Sequence, residues 1–519
     1  MVFPSITVCN LNQVEASFIK EPIDFENVSL SRMTKTNLLM KEFIFGHQDN
    51  LTQEEEKYLE RVKNWRNFKA FTFLDWTRQY CNHAFISSNF RGLNFTWRNL
   101  KKEEIYYKIN YGPRFHPTDF GACCRLVPHL FFEKPPTNTS MEEWWFNTKA
   151  SSLNGEANGL EVLLDVEQFN YAFRQANAAG FRISLHGHNV KPVMQFSSQL
   201  IYPGTESMIN VKPTISYTTK NAISAFSPNE RGCYIDEEIE LNFLTKRFHG
   251  LGYRFEMNNC LIDEGIRDII WKCRCIPMFI ATYQVPNYFA FIPVCTGKKL
   301  YCANTRAKSL GNMEDIAKKD DIFDHEALES PELIGNISKP SSIDCLPACT
   351  VQDNSNQMSI APYPQKQNFF YQKKFCDVAS HVWIATCNSH NFCPGCNNNR
   401  RILIDQEQPN LCSTLEDFDE YFGINSTCDR WPNNYLEKFD GPNTTLRDEL
   451  YEYGKQNLAL IHVMIQSPYV TKIKRDVAMT FTSYVANTGG LLGLCLGFSF
   501  ISLVEILFWV CCCLRQVKG

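Results

Sequence analysis

The chain has 519 residues, of which 44% are hydrophobic, and its formal net charge is -4 at pH 7. A net charge this close to zero gives no support to a nucleic-acid-binding protein or to one with a strongly acidic partner. The length and the apolar content are sufficient for several packed layers of secondary structure.

Cysteine is the most informative residue type. Of the 22 cysteines, 18 precede a long apolar segment near the C-terminus, and four lie in it: Cys495, Cys511, Cys512 and Cys513. A high, even number outside a membrane segment predicts disulfides and an oxidising compartment. Seven Asn-x-Ser/Thr glycosylation sequons agree with that compartment. All of them precede the apolar segment: Asn27, Asn50, Asn94, Asn138, Asn336, Asn425 and Asn443.

The first predicted elements are extended chain from Phe3 to Leu11 and then a helix. Thr52 and Glu55 have the spacing of a capping box, which marks the start of that helix. Apolar residues then follow at helical spacing: Tyr58, Leu59, Val62, Trp65 and Phe68. Such an aromatic stripe is far more typical of a helix core face than of a ligand site.

Apolar runs broken by Gly and Pro predict strands at 159–165, 179–186 and 202–206. His186 and His188 are two residues apart, so a strand would place both on one face, a spacing that suits a metal. Because the run contains no nearby cysteine or carboxylate, we favour a pair of solvated turn histidines over a metal site.

Cysteines dominate the chain from 233 onward. Residues 236–248 are predicted to form an amphipathic helix, with Ile239, Phe243 and Leu244 on one side. Further cysteines follow it: Cys260, Cys273, Cys275, Cys295, Cys302, Cys345 and Cys349.

A stretch from about 365 to 445 contains six more cysteines: Cys376, Cys387, Cys393, Cys396, Cys412 and Cys428. Cys393, Cys396 and His390 could form half of a zinc site. We favour an extracellular subdomain with three disulfides, although six cysteines allow 15 pairings. Residues 458–470 then predict another strand.

The apolar segment covers 485–514, and from Leu491 to its end its one ionisable side chain other than cysteine is Glu505. About 20 apolar residues are enough for a helix to cross a bilayer, where only a helix or a closed barrel satisfies its own backbone. We therefore predict a transmembrane helix at 485–514 and a cytoplasmic tail at 515–519.

Two ridges along the predicted helix, one of small residues and one of polar residues, distinguish this segment from a plain membrane anchor. The small residues are Ala486, Gly489, Gly490, Gly493 and Gly497. The polar residues, at spacings of three, are Ser499, Ser502 and Glu505. The two ridges point in different directions on an unbroken helix, and a break near 497–499 would let both line one axis. A glycine zipper that only dimerises is one interpretation; the other is a pore helix at a symmetry axis, where a membrane carboxylate has a function.

The run from Tyr484 through Ser499 to Glu505 resembles the second transmembrane segment of the degenerin/epithelial sodium channel family. That family includes amiloride-sensitive, acid-sensing and pickpocket-type channels. The resemblance implies a selectivity filter at Gly497, Phe498 and Ser499. It also implies blocker binding at Gly493 and a gate position at Ala486, where bulk holds the channel open. The other implied pore-lining or gate residues are Gly489, Gly490, Ser502 and Glu505.

The same resemblance implies an α+β fold, in which a large disulfide-rich extracellular domain (1–484) precedes one transmembrane pore helix. Its parts are a finger (about 30–150), a strand-rich palm and β-ball (about 155–230), a thumb (about 233–350), the cysteine-rich insert and palm strands (455–484). The insert, at about 365–445, is the one part that does not follow the family pattern.

Five disulfides are implied by the resemblance: Cys9–Cys123, Cys233–Cys349, Cys260–Cys345, Cys273–Cys302 and Cys275–Cys295. Cys81 and Cys124 are then left for an extra pair. Where the family often has one further thumb bridge, this chain has Glu264 and Ile343. Both halves of that bridge are therefore absent together.

Residues 1–10 resemble the stretch that follows the first transmembrane helix of this family, and no apolar span or signal peptide precedes them. We expect Met1 to be an internal methionine of a longer protein, with the first transmembrane helix missing from this chain.

We expect a subunit of a trimeric, sodium-preferring, amiloride-sensitive channel gated through its extracellular domain. Expected partners are sodium ions, the plasma-membrane bilayer, homologous subunits and an extracellular ligand that the sequence does not identify. No cofactor, metal site or nucleic acid is expected. A single-pass receptor or adhesion protein without a pore is the alternative, but a plain anchor gains nothing from Glu505. The chain contains no serine-hydrolase elbow, phosphate loop or zinc-protease motif, so we do not expect an enzyme.

Overall fold

A computed structural model of the chain describes residues 3–12, 30–47, 50–64, 85–90, 93–96, 114–127, 155, 158–168, 171, 178–187, 190–239, 241–244, 255–277, 292–307, 345–366, 378, 444–497 and 499–516. The predicted insert at about 365–445 lies almost entirely outside these residues. Outside them too are the sequons at Asn27, Asn138, Asn336, Asn425 and Asn443.

A five-stranded antiparallel sheet is built around the N-terminal strand. Its order is β4 (Arg114–Thr118), β5 (Gly121–Leu126), β1 (Ser5–Asn10), β7 (Phe181–His186) and β8 (Gln199–Ile201). All six residues of β1 are buried, because the strand is paired on both edges. The predicted extended start and the predicted strand at 179–186 are confirmed.

A second, seven-stranded sheet carries the chain toward its C-terminus. Its order is β10 (Thr350–Pro362), β9 (Thr205–Thr218), β11 (Leu458–Ile465), β6 (Leu160–Asp165), β2 (Phe85–Phe90) and β3 (Leu93–Thr96), with β12 (Thr471–Arg475) also paired to β9. β11 and β12 run parallel to β9. The strand predicted at 159–165 is confirmed, and the one predicted at 458–470 is confirmed up to Ile465, where β11 ends. The strand predicted at 202–206 is wrong for its first residues, because 202–204 form a turn that leads into β9.

The two sheets share one hydrophobic core. Phe3, Ile6 and Val8 from the first sheet pack with residues of the second, such as Val162 and Ile461. The β-branched side chains of these strands suit a pleated surface with one buried face.

The predicted N-terminal helix begins where its capping box indicates. The Thr52 N–H donates to Glu55 Oε2 at 2.8 Å, and the Glu55 N–H donates to Thr52 Oγ1 at 3.4 Å. This helix, α2 (Gln53–Asn64), buries Tyr58, Leu59 and Val62. They pack on α1 (Arg32–Met40) and the π-helical turn Lys41–Phe45. The last two predicted members of the stripe, Trp65 and Phe68, lie outside the described residues.

Short helices connect the sheets to the rest of the domain: α3 (Met194–Ser197), α4 (Lys220–Ala225) and α5 (Pro228–Arg231). Two longer helices, α6 (Met257–Cys273) and α7 (Gly297–Ala307), share a second apolar core. Near the C-terminus, α8 (Thr444–Asn457) leads directly into β11.

The helix predicted at 236–248 is wrong for its described part, because residues 236–238 form a turn and residues 242–244 a bend. The backbone N–H groups of Asn242, Phe243 and Leu244 donate to the Asp263 carboxylate at 2.9, 2.7 and 3.0 Å. Donors directed at a carboxylate are not available to the carbonyls of a helix. The apolar side chains of Phe243 and Leu244 are buried all the same.

Five disulfides join described residues, and they are the pairs that the resemblance implies: Cys9–Cys123, Cys233–Cys349, Cys260–Cys345, Cys273–Cys302 and Cys275–Cys295. Cys124 is also disulfide-bonded, and Cys81, its expected partner, lies outside the described residues. Four of the five bridges belong to the part of the chain around α6 and α7.

Glu264, at one of the two positions where the resemblance implies a further thumb cysteine, forms an ion pair. Glu264 on α6 is buried, and its carboxylate lies 3.2 Å from the Arg267 guanidinium one turn later. Burial raises the pKa of the Glu264 carboxyl, and Arg267 opposes that rise. A second buried pair, Asp268 with Arg306 at 2.8 Å, ties α6 to α7.

His186 is not the solvated turn residue that we expected. It is buried at the end of β7, with its Nε2 2.8 Å from Thr7 Oγ1 and its Nδ1 2.7 Å from the Gly187 carbonyl. Those partners occupy both ring nitrogens. His188 lies outside the described residues, and in the described part of the chain no group of three metal-ligating side chains converges.

We predict that Tyr453→Phe destabilises the fold by about 1–3 kcal/mol, because it removes a hydrogen bond inside the core. The Tyr453 hydroxyl donates to Asp165 Oδ2 at 2.7 Å, and both residues are buried. Urea unfolding of the detergent-solubilised chain measures the change. Tyr451→Phe, on the half-buried face of the same helix, is the matched control. Equal stability of the two variants would contradict the prediction.

Candidate ion-conducting segment

The chain leaves the seven-stranded sheet through two strands of very different burial. β11 is buried at seven of its eight positions, whereas all five residues of β12 are exposed. Both strands pair with β9 in parallel register. β9 therefore guides the chain from the protein core to the two C-terminal helices.

A cluster of polar contacts, which we call the Asp476 latch, follows β12. The Thr219 hydroxyl donates to Asp476 Oδ1 at 2.6 Å, and Lys474 Nζ lies 2.6 Å from Asp476 Oδ2. The Val477 N–H also donates to Oδ1, at 2.9 Å. Because of the hydrogen bonds from Lys474 and Thr219, the pKa of Asp476 is lowered to about 2.

The Asp476 latch is connected to the base of the predicted thumb. Thr219 follows Thr218, whose N–H donates to the Cys349 carbonyl at 2.8 Å. Cys349 is bonded to Cys233. A continuous series of covalent and hydrogen-bonded contacts thus leads from the thumb to the strand that precedes the C-terminal helices.

The first of these helices, α9 (Phe481–Leu496), starts at a threonine cap. Thr480 Oγ1 accepts the Ser483 N–H at 3.1 Å. The small predicted residues Ala486, Gly489 and Gly490 are exposed, and Gly493 is half-buried. A Cβ atom at Gly489 or Gly490 would meet nothing within 4 Å. This face is therefore open to a neighbouring molecule.

The single helix predicted over 485–514 is replaced by two helices with a break at the predicted position. Gly497 adopts the left-handed conformation (φ 62°) and ends α9, while α10 (Phe500–Gln516) begins three residues later. A left-handed residue cannot continue a right-handed helix, and glycine adopts it without a steric penalty. Phe498 lies outside the described residues.

Two serines form reciprocal hydrogen bonds at the start of α10. The Ser502 N–H donates to Ser499 Oγ at 3.3 Å, and the Ser499 N–H donates to Ser502 Oγ at 3.2 Å. Glu505 is exposed one turn further along. Since residues three apart are neighbours on a helix surface, Ser502 and Glu505 share one face of α10.

The two helices present a large apolar surface. Leu494 is 88% exposed and Trp509 is 68% exposed. Contiguous apolar surface marks a site of contact with a partner or with lipid. Among the described residues, no helix reaches both the length and the apolar character that crossing a bilayer requires.

Comparison with known proteins decides the family. Residues 1–509 match the family model described as amiloride-sensitive sodium channel. This chain belongs to the amiloride-sensitive sodium channel family. The family resemblance identified from the sequence is therefore confirmed, and since the family consists of ion channels, so is the prediction that the chain is not an enzyme.

Three curated relatives are similar to this member of the amiloride-sensitive sodium channel family. Pickpocket protein 28 of Drosophila melanogaster is 19% identical over 542 residues, covering 98% of this chain and 66% of the relative. Pickpocket protein 19 of Drosophila melanogaster is 28% identical over 171 residues, covering 32% of this chain and 29% of the relative. The epithelial sodium channel subunit alpha of Xenopus laevis is 31% identical over 119 residues, covering 23% of this chain and 17% of the relative. The chain thus spans less than two thirds of each relative.

Two of the predicted sequons can be located. Asn50 is exposed next to α2, and its Oδ1 accepts a hydrogen bond from Lys298 Nζ at 3.1 Å. Asn94 lies in β3.

The Asp476 latch could not be identified from the sequence, because Thr219 and Asp476 are 257 residues apart and no local pattern marks either of them.

We predict that Asp476→Ala loosens the end of β12. The alanine cannot accept the hydrogen bonds of Thr219 and Val477 or pair with Lys474, so the amides of residues 471–477 should exchange several-fold faster with deuterium. Asp448→Ala removes another exposed carboxylate, paired with Lys366 at 2.8 Å, and should leave these amides unchanged. Unchanged exchange in both variants would rule out a structural role for the latch.

Proposed function

We propose that this chain is a subunit of a trimeric, sodium-preferring, amiloride-sensitive cation channel that is gated through its extracellular domain. The observation that carries the proposal is the break at Gly497, which lies in the region matched by the sodium channel family. Breaks of this kind at membrane depth are tolerated where backbone lines a water-filled cavity.

In this proposal, α9 and α10 cross the plasma membrane together as one broken span. Their exposed apolar side chains face lipid and neighbouring subunits. The open face of Ala486, Gly489 and Gly490 lets copies of α9 approach closely, because small residues permit backbone contact. Ala486 is the proposed gate position, and Gly493, on the same helix, is the proposed contact for the blocker.

Ion selection is proposed at residues 497–499. A helix break exposes backbone carbonyls, and carbonyl oxygens can replace the water around a sodium ion. Ser499 and Ser502 add hydroxyl groups beside the break. Glu505, one turn further along, favours cations over anions electrostatically.

Gating is proposed to proceed through the ectodomain. The helices α6 and α7 are braced by three disulfides and by the Asp268–Arg306 pair, so they move as one body. Cys233–Cys349 and the Asp476 latch connect that body to β12 and α9. A ligand or other stimulus that favours one arrangement of this connection shifts the closed-open equilibrium.

Disulfides and sequons support an extracellular location for the residues before α9, because such bridges persist in oxidising compartments. The proposed partners are sodium ions, the lipid bilayer and homologous subunits. The C-terminus after α10 is proposed to be cytoplasmic.

We predict that Gly497→Val reduces sodium current by about tenfold or more at equal surface expression. A β-branched residue at φ 62° is strained by about 1–2 kcal/mol, and about 1.4 kcal/mol corresponds to a tenfold change. Whole-cell recording from the full-length protein measures the current. Leu494→Val, at an exposed position of α9, is the control and should conduct normally.

Surface-expressed protein that carries no current under any tested stimulus, with or without either substitution, would contradict the proposed channel. It would instead favour a receptor or adhesion protein without a pore.

We predict that Glu505→Gln lowers single-channel conductance and weakens the preference for cations over anions, because the substitution removes a negative charge without changing the shape of the side chain. Glu505→Asp keeps the charge and should restore most of both properties. Reversal potentials in asymmetric salt measure the cation preference. Unchanged values in Glu505→Gln would mean that this carboxylate does not face the ions.

A further inference from the structure

A cavity of about 870 Å³ lies where three parts of the ectodomain meet. One wall is formed by the end of β7 and residues 190–197, which include α3, another by residues 234–237 and the start of α6, and a third by residues 348–354. No residue of β12, α9 or α10 lines the cavity. It is therefore separate from the proposed pore.

The cavity has a substantial apolar wall. Phe3 and Phe255 are buried, and Val190 and Leu261 are half-buried. Tyr234 packs edge-on against Phe255, with ring centroids 5.5 Å apart. A wall of this kind accommodates the body of a small organic molecule, and aromatic faces also attract cations.

Four carboxylates line the same cavity: Asp236, Glu237, Glu256 and Asp353. Glu256 is half-buried and directly precedes α6, but its side chain makes no capping hydrogen bond. None of the described residues forms a hydrogen bond or an ion pair with its carboxylate. Burial and the nearby Asp236 raise the pKa of Glu256 to about 7. A carboxylate in this setting has unused capacity for a cation.

Two basic side chains, Lys191 and His186, also line the cavity, and both are buried. Lys191 is buried, and its burial lowers its pKa to about 8, an effect opposed by Asp119. Asp119 in turn accepts the N–H groups of Met194 and Gln195 at 2.7 and 3.0 Å. The ring nitrogens of His186 have partners in Thr7 and Gly187. The four carboxylates therefore favour a ligand with a positive charge.

We propose that this cavity binds a small organic cation, with an amine or guanidinium group at Glu256 and an apolar or aromatic body against Phe255 and Val190. A bare metal ion fits less well, because the volume is far larger than an ion requires. In addition, three metal-ligating groups do not converge anywhere in the described part of the chain. The inference goes beyond the proposed channel function and does not require the chain to conduct ions.

A bound cation favours the ionised form of Glu256, so binding and protonation compete. Affinity should therefore fall as the pH decreases through about 7, and for one such group it should be about tenfold lower at pH 6 than at pH 8. Neutralisation of Lys191 above pH 8 acts in the same direction. The other titratable side chains that line the cavity are His186, Asp236, Glu237 and Asp353.

The test uses benzylamine, which stays protonated between pH 6 and pH 8, and benzyl alcohol, its neutral analogue of similar shape. Ligand-observed NMR titration of the detergent-solubilised full chain measures both dissociation constants. Glu256→Gln removes the charge at the cavity, and Glu60→Gln removes a charge on the exposed surface of α2 as the matched control.

We expect saturable benzylamine binding that Glu256→Gln weakens by about tenfold or more, as for loss of a charge-assisted contact, and that Glu60→Gln leaves intact. Benzyl alcohol should bind both variants with equal, weaker affinity. Absence of saturable benzylamine binding, or equal binding to Glu256→Gln, would overturn the proposal. A much lower thermal unfolding midpoint of Glu256→Gln would show that this variant is destabilised. In that case Asp236→Asn, at an exposed residue that lines the cavity, replaces it, and the expected loss of benzylamine affinity is smaller. The binding measurement does not depend on ion current. Failure of the cavity proposal can therefore be distinguished from failure of the proposed channel function.

Discussion

The strand β9 is the constraint on which the rest of this protein depends. Over its 14 residues it pairs with β10 on one edge and with β11 and then β12 on the other. β10 starts at the disulfide from the thumb, and β12 leads to α9. One strand thereby sets the relative position of the region that would sense a stimulus and the helix that would respond.

The carboxylates of the described residues differ in their hydrogen-bond partners. Asp263, Asp165 and Asp119 are paired with backbone or hydroxyl donors, which compensates for the loss of hydration on burial. Glu256 borders a cavity and has no such partner among the residues that the structure describes. This contrast is physically significant, because a carboxylate without donors is costly unless it gains a proton or a cationic ligand.

The C-terminal helices reverse the usual rule of a folded domain. In the shared core of the sheets, apolar side chains such as Ile6 and Ile461 are buried, whereas on α9 and α10 large apolar side chains such as Leu494 and Trp509 are exposed. The glycines of α9 leave its surface open. Both features suit a surface that contacts lipid or further subunits, which agrees with membership in a family of ion channels.

Features that depend on neighbours in the chain were predictable from the sequence alone. The capping box of α2, the strands β1, β6, β7 and β11 and the break at Gly497 all follow from residues within one turn or one strand of each other, and the family resemblance rests on short motifs of this kind. Apart from the five disulfides, which the family resemblance implied, features that join distant residues were not predictable. The burial of His186, the loop 236–244 around Asp263, the Asp476 latch and the cavity at Glu256 arise because packing brings together groups that no local spacing connects. The tertiary structure therefore decided which polar groups are satisfied and which remain available to a ligand.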